Sequence, residues 1–195
     1  MGRREIYQII VLTGPKHSGK TSAGRVLAKL LKTGFVDLDA RIEERTGKSP
    51  RALYREGPGP FKAAEAEALR SLPGVPREGS RGLPRPDGAP PPVIAAGGGI
   101  IDNEEALALL GSREFRMVYL AVSAETAWER IRGEAEKTGE LPPFLNTADP
   151  RETHRRLHER RAAAYGALAD ITVQGEGRSP GDIAQKIAEE LQEEF

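Results

Sequence analysis

A three-layer α/β domain built on a parallel sheet is what this sequence predicts, and two observations predict it. Five short apolar runs alternate with helical patterns along the chain, as in sheets covered on both faces. The first run closes on a glycine-containing turn that leads straight into a helix. Composition agrees with one domain: 195 residues, 38% of them hydrophobic, with 29 basic and 29 acidic side chains. Zero net charge gives no reason to expect nucleic acid or an anionic membrane as partner. Absence of cysteine excludes disulfides, cysteine-ligated metals and thiol nucleophiles. The apolar stretch at residues 9–12 is far short of a signal peptide or membrane span. Met1-Gly2 lacks the Ser or Thr that myristoylation wants at position 6, which is Ile6. A soluble, cytoplasmic monomer is expected.

Residues 8–12 form a β-branched run typical of a strand buried on both faces. A helix follows from Thr21, with Val26, Leu27, Leu30 and Leu31 on its apolar side and Gly34 as its stop signal. Residues 35–38 make a second strand. Residues 40–45 read as a polar helix ended by Gly47, and Ser49-Pro50 as the start of another. Residues 61–72, rich in Ala, Glu and Leu, continue the helical part. Residues 71–93 then break the pattern: 7 of these 23 are proline and 4 are glycine, which suits an irregular surface insert. Strands are expected at 93–96, 116–122 and 170–173, and helices at 104–110, 125–132 and 151–168. A last helix at 180–194 is capped by Ser179. Residues 137–147 are turn-rich.

Gly14-Pro15-Lys16-His17-Ser18-Gly19-Lys20-Thr21 fits G-x-x-x-x-G-K-[ST] between the first strand and the first helix. In that setting glycines let the backbone wrap phosphate oxygens, and the helix N-terminus adds its positive end. Lys20 supplies a cation for the β and γ oxygens, and Thr21 a hydroxyl for Mg²⁺. Lys16 adds charge nearby or is simply solvated, and His17 has no assigned chemistry. Asp37-Leu38-Asp39 lies at the end of the second strand, where alternation sends both carboxylates the same way. Open α/β sheets bind ligands at that end.

Phe35-Val36-Asp37-Leu38-Asp39, Ile42-Glu43, Thr46-Gly47 and Phe61-Lys62 with Glu65 together resemble the shikimate kinases. So do Ala96-Gly97-Gly98-Gly99, Glu159-Arg160-Arg161 with Tyr165, Ala169-Asp170, and Gly177-Arg178-Ser179-Pro180. The resemblance implies a P-loop kinase fold with strand order 2-3-1-4-5 and a lid at about 133–150. It implies ATP and Mg²⁺, with the nucleotide on Gly14 through Thr21, Ser22, Arg130, Arg178 and Pro180. Thr21 and Asp37 would serve the metal, and Lys20 and Asp39 the chemistry. Asp39, Lys62, Gly97, Gly98, Gly99 and Arg161 would hold a small hydroxy acid, with shikimate going to shikimate 3-phosphate. Two positions depart from the family: Lys62 stands where arginine is usual, and Pro142-Pro143-Phe144-Leu145 where the lid carries Arg-Pro-Leu-Leu. A kinase for another hydroxy or sugar acid, or a nucleotide-binding regulatory relative, stays open at this point.

Overall fold

The computed structural model describes residues 8–73, 75 and 90–193. Most of the irregular insert expected at residues 71–93 lies outside the described residues. Five strands, β1 (Ile9–Thr13), β2 (Phe35–Asp37), β3 (Val93–Ala95), β4 (Phe115–Ala121) and β5 (Ile171–Gln174), form one sheet. All pairs are parallel and the order is β2-β3-β1-β4-β5, as expected from the sequence. The intervening helices are α1 (Lys20–Leu31), α2 (Leu38–Thr46), α3 (Pro50–Glu56) and α4 (Pro58–Arg70). They continue with α5 (Glu104–Leu110), α6 (Ala124–Thr138), α7 (Pro150–Leu168) and α8 (Pro180–Glu193). Short 3₁₀ turns occupy Ile100–Asp102 and Pro143–Leu145.

β1 is wholly buried because its alternate residues serve two cores. Ile9 and Val11 pack with Leu38, Ile42, Leu69 and Tyr165, on the face covered by α2, α4 and α7. Ile10 and Leu12 pack with Leu27, Ile183 and Ile187, on the face covered by α1 and α8. A third, smaller cluster joins Trp128 and Ile131 of α6 to Leu145, with Phe144 alongside. Among the described residues no helix is long and apolar enough to cross a membrane.

Several boundaries differ from the sequence expectation for local reasons. α1 ends on Lys32, which adopts φ 56° and donates its N–H to Ala28 O and Lys29 O, so Gly34 is not the stop. Leu30 is 45% exposed and leaves the apolar side to Leu27, with Val26 and Leu31 partly buried. α2 begins at Leu38 instead of residue 40, because the Asp37 side chain accepts from the N–H groups of Asp39 and Ala40. α4 starts earlier, with Pro58 in its first turn, and stops at Arg70. Val93 belongs to β3 and not to the insert, while Leu72 and Val75 at the insert's start are buried in the first core. α6 runs on through Lys137 to Thr138, ending at Gly139 with φ 77°. The caps read at Ser49 and Ser179 are present: Ser49 accepts from Ala52 N and Ser179 from Asp182 N.

Candidate active site

Residues 14–19 turn the chain from β1 into α1. Gly14 has φ 132°, and a Cβ there would stand 2.6 Å from the Leu120 carbonyl oxygen, so only glycine fits. Gly19 caps α1 at φ 98° without a side chain, leaving the helix N–H groups open to an anion. At the centre of the loop the Lys20 ammonium donates to Gly14 O at 3.0 Å and Pro15 O at 2.7 Å. Burial pushes Lys20 down to about 8, with Asp39 opposing the shift and Lys16 adding to it. His17 is in the left-handed region at φ 61°. Burial and the Lys16 charge lower its pKa to about 4, so at neutral pH the ring is uncharged. Arg130 of α6 reaches across and donates to His17 O at 2.8 Å.

The two aspartates meet at the junction of β2 and α2. Strand alternation is not what aligns them, since Asp39 is already helical. Asp37 is instead the N-cap, accepting from Asp39 N through Oδ1 and from Thr21 Oγ1 through Oδ2, the latter at 2.9 Å. A hydroxyl and a carboxylate are thereby paired beside the phosphate loop, a hard-oxygen donor set that suits Mg²⁺. Asp39 opens on the cleft, yet the protein around its carboxyl removes enough hydration to raise its pKa, and Asp37 adds to that. Lys20 and Lys16 pull it down, so the carboxyl sits between a like charge and two cations.

The triple glycine after β3 runs along this cleft at close quarters. A Cβ on Gly97 would stand 2.9 Å from Glu65 Oε1 and 3.3 Å from Asp39 Oδ1. One on Gly98 would stand 2.8 Å from Lys16 N, and one on Gly99 3.2 Å from Arg161 Nη2. The segment therefore packs the phosphate loop, the aspartate pair and α7 against one another. Arg161 donates to Gly98 O at 3.1 Å. Lys62, exposed on α4, accepts at its carbonyl from Asn103 Nδ2, and its charge acts on Glu65. Arg178 and Pro180 are exposed where the chain enters α8, with Arg178 beside Asp182. The loop leading to them starts at Gly175, packed near Ser18 O. Ser22 is exposed in the first turn of α1.

Glu65 is a site residue to which the sequence reading gave no role. It is fully buried on α4, accepts from Asn103 Nδ2 at 2.9 Å, and has no partner for Oε1 among the described residues. Burial raises its pKa to about 7 despite the Asn103 hydrogen bond. A usable signal was present: Glu65 falls four residues after Phe61 and four before Leu69, on the apolar side of the helix. Because the folded carboxyl holds its proton up to about pH 7 and the unfolded one only to about 4.5, stability falls as pH rises between those values. Above pH 7 the penalty is on the order of 3 kcal/mol. Glu65→Gln should therefore melt higher than the parent at pH 8.5 and together with it at pH 4, as thermal melts at both pH values would register.

Residues 140–144, within the stretch expected as a lid, contact α3 and α7. Arg51 of α3 donates to Leu141 O at 2.7 Å, and Arg51 and Arg55 both pair with Glu140. Pro142 is buried, and Phe144 places its ring centroid 5.7 Å from the Arg161 guanidinium carbon.

The family model described as shikimate kinase matches residues 16–77 and 85–192 of this chain. A shikimate kinase of Aromatoleum aromaticum is 33% identical over 185 residues, covering 94% of each chain. One of Thermobifida fusca is 35% identical over 188 residues, again covering 94% of both. Among solved structures, the shikimate kinase of Acinetobacter baumannii in complex with shikimate superposes with a TM-score of 0.77. It is 28% identical and covers 97% of this chain and 96% of its own.

Proposed function

Since the chain belongs to the shikimate kinase family, whose members are kinases that use ATP, we propose that it transfers the ATP γ-phosphoryl group to the 3-hydroxyl of shikimate. The observation that carries this reading is the cleft in which Asp39 feels the Lys20 charge and lies against Gly97, beside Glu65, on which Arg161 also acts. The phosphate loop, Gly14 to Thr21 with Ser22, holds the phosphates through backbone N–H groups and Lys20. Arg130, Arg178 and Pro180 flank the adenine. Thr21 and Asp37 would hold Mg²⁺, which when bound neutralises charge on the phosphate oxygens. Lys62 and Arg161 take the substrate carboxylate as cations, and Gly97 to Gly99 give its ring a close approach to the backbone.

In this account the acceptor hydroxyl gives its proton to Asp39 as its oxygen bonds the γ-phosphorus. The bond to the bridging oxygen breaks and ADP leaves. Lys20 meets the charge that gathers on the transferring group.

Lys62 favours one competing reading, a kinase for a different hydroxy acid, because an ammonium lacks the two-donor fork that matches a carboxylate. Coupled ADP release with shikimate beside gluconate and other hydroxy acids separates the two: shikimate should give the highest kcat/KM, and a higher value for another acid would replace the assignment. Under the shikimate reading, Lys62→Arg should lower the KM for shikimate several-fold, on the order of 1 kcal/mol, with kcat little changed.

A further inference from the structure

Arg161 does not stand free in the cleft. Its Nε donates to Asp102 Oδ2 at 2.8 Å, and its Nη2 pairs with the same oxygen at 2.7 Å. Nη1 donates to Gly98 O. Asp102 belongs to the 3₁₀ turn that follows the triple glycine, and its other oxygen, Oδ1, accepts from Arg160 Nη1 at 2.7 Å. Arg161 and Asp102 are both mostly covered, at 18% and 21% side-chain exposure. A guanidinium has five N–H donors in one plane. Asp102 takes the edge formed by Nε and Nη2, and Gly98 takes one donor of Nη1. One N–H remains on each terminal nitrogen, beside Gly99, whose absent side chain lets Nη2 come close. Burial by itself would raise the Asp102 pKa, but hydrogen bonds from Arg160 and Arg161 more than reverse this and keep the carboxylate ionised. The group of Arg160, Arg161 and Asp102 carries one net positive charge, the complement of a single carboxylate.

We infer that Asp102 is a positioning residue that fixes the Arg161 guanidinium by one edge and so aims its two terminal nitrogens at the acceptor's carboxylate. The inference rests on the proposed reading of Arg161 as a substrate-acid ligand. Asp102 touches neither substrate nor nucleotide in this arrangement. Its effect is to make the site prefer an acid over a neutral acceptor of the same shape. Without it only the Gly98 carbonyl and the Phe144 ring hold the guanidinium, and binding of the acid must supply the rest of its ordering.

The test compares shikimate with its methyl ester, which keeps the three hydroxyls and removes the charge. In the unmodified protein the acid should have the lower KM. Asp102→Asn should raise the KM for shikimate on the order of tenfold, leave the KM for the ester unchanged and alter kcat less than about twofold. Asp102→Glu, which retains the charge one methylene further out, should recover part of the acid preference. Arg160→Ala should keep that preference, because Arg160 does not touch Arg161's pairing edge. If Asp102→Asn lowers only the melting temperature, or shifts both KM values alike, Asp102 is structural and the inference is overturned. An unmodified protein that fails to turn over shikimate would instead overturn the shikimate reading and this inference with it.

Discussion

Lys20→Ala should lower turnover of MgATP and acceptor by roughly 10³-fold or more, while the protein melts no lower than its parent at pH 7. The two halves of that result have separate physical causes. The ammonium lies at the centre of the phosphate loop, within 3.0 Å of the Gly14 and Pro15 carbonyl oxygens, where a developing negative charge can be met without rearranging the protein. Its pKa is nevertheless pushed down by burial to about 8, so the folded state binds this proton less tightly than the unfolded chain does. A lowered lysine pKa means that stability is reduced below about pH 8 and recovers as pH rises toward 10.5. Removing the ammonium removes that penalty. Although the Lys20 hydrogen bonds to Gly14 O and Pro15 O are lost, the loop keeps the turns at Gly14 and Gly19 and the Ser18 N–H donated to Pro15 O. Steady-state kinetics and a thermal melt on the same preparation check both halves, and near-native turnover would remove Lys20 from the chemistry.

Asp39→Asn should cost turnover on the order of 10²- to 10⁴-fold with nucleotide affinity changed only slightly. An amide has almost the shape of the carboxylate but cannot take a proton from the acceptor hydroxyl. Asp39 lies against Gly97 and feels Lys20, Lys16 and Asp37, whereas the contact with Thr21 belongs to Asp37. Kinetics at saturating acceptor, paired with calorimetric titration of the nucleotide, separate the two quantities. A collapse of nucleotide affinity with turnover kept at saturation would transfer Asp39 to the metal and nucleotide side.

The sheet and the phosphate loop were legible because their signals are local and their causes tertiary in a simple way. A continuous apolar strand such as Ile9–Thr13 is what burial on both faces requires, and the loop's glycines stand where the backbone turns or approaches most closely. The aspartate pair was found for a reason that the structure replaces. Asp37 and Asp39 are adjacent through a helix cap and first turn, which alternation along a strand cannot foresee. The polar end of α6, from Glu134 to Thr138, carries too little apolar pattern to mark a helix, although Gly139 marks where it stops. Glu65 was hidden by its type, since a glutamate in an alanine-rich helix reads as solvated until its neighbours Ala66, Ala68 and Leu69 are seen to be buried. Asp102 carried no signal, because its partners Arg160 and Arg161 lie almost sixty residues away.

The most direct measurement of the central claim is a ³¹P NMR spectrum of the protein with MgATP and shikimate as the sole acceptor. The account predicts loss of the γ-phosphate resonance in step with one new phosphomonoester signal, coupled to the proton at C3 of shikimate. Release of ADP with only inorganic phosphate, or an unchanged ATP spectrum under conditions in which the nucleotide is bound, would contradict it.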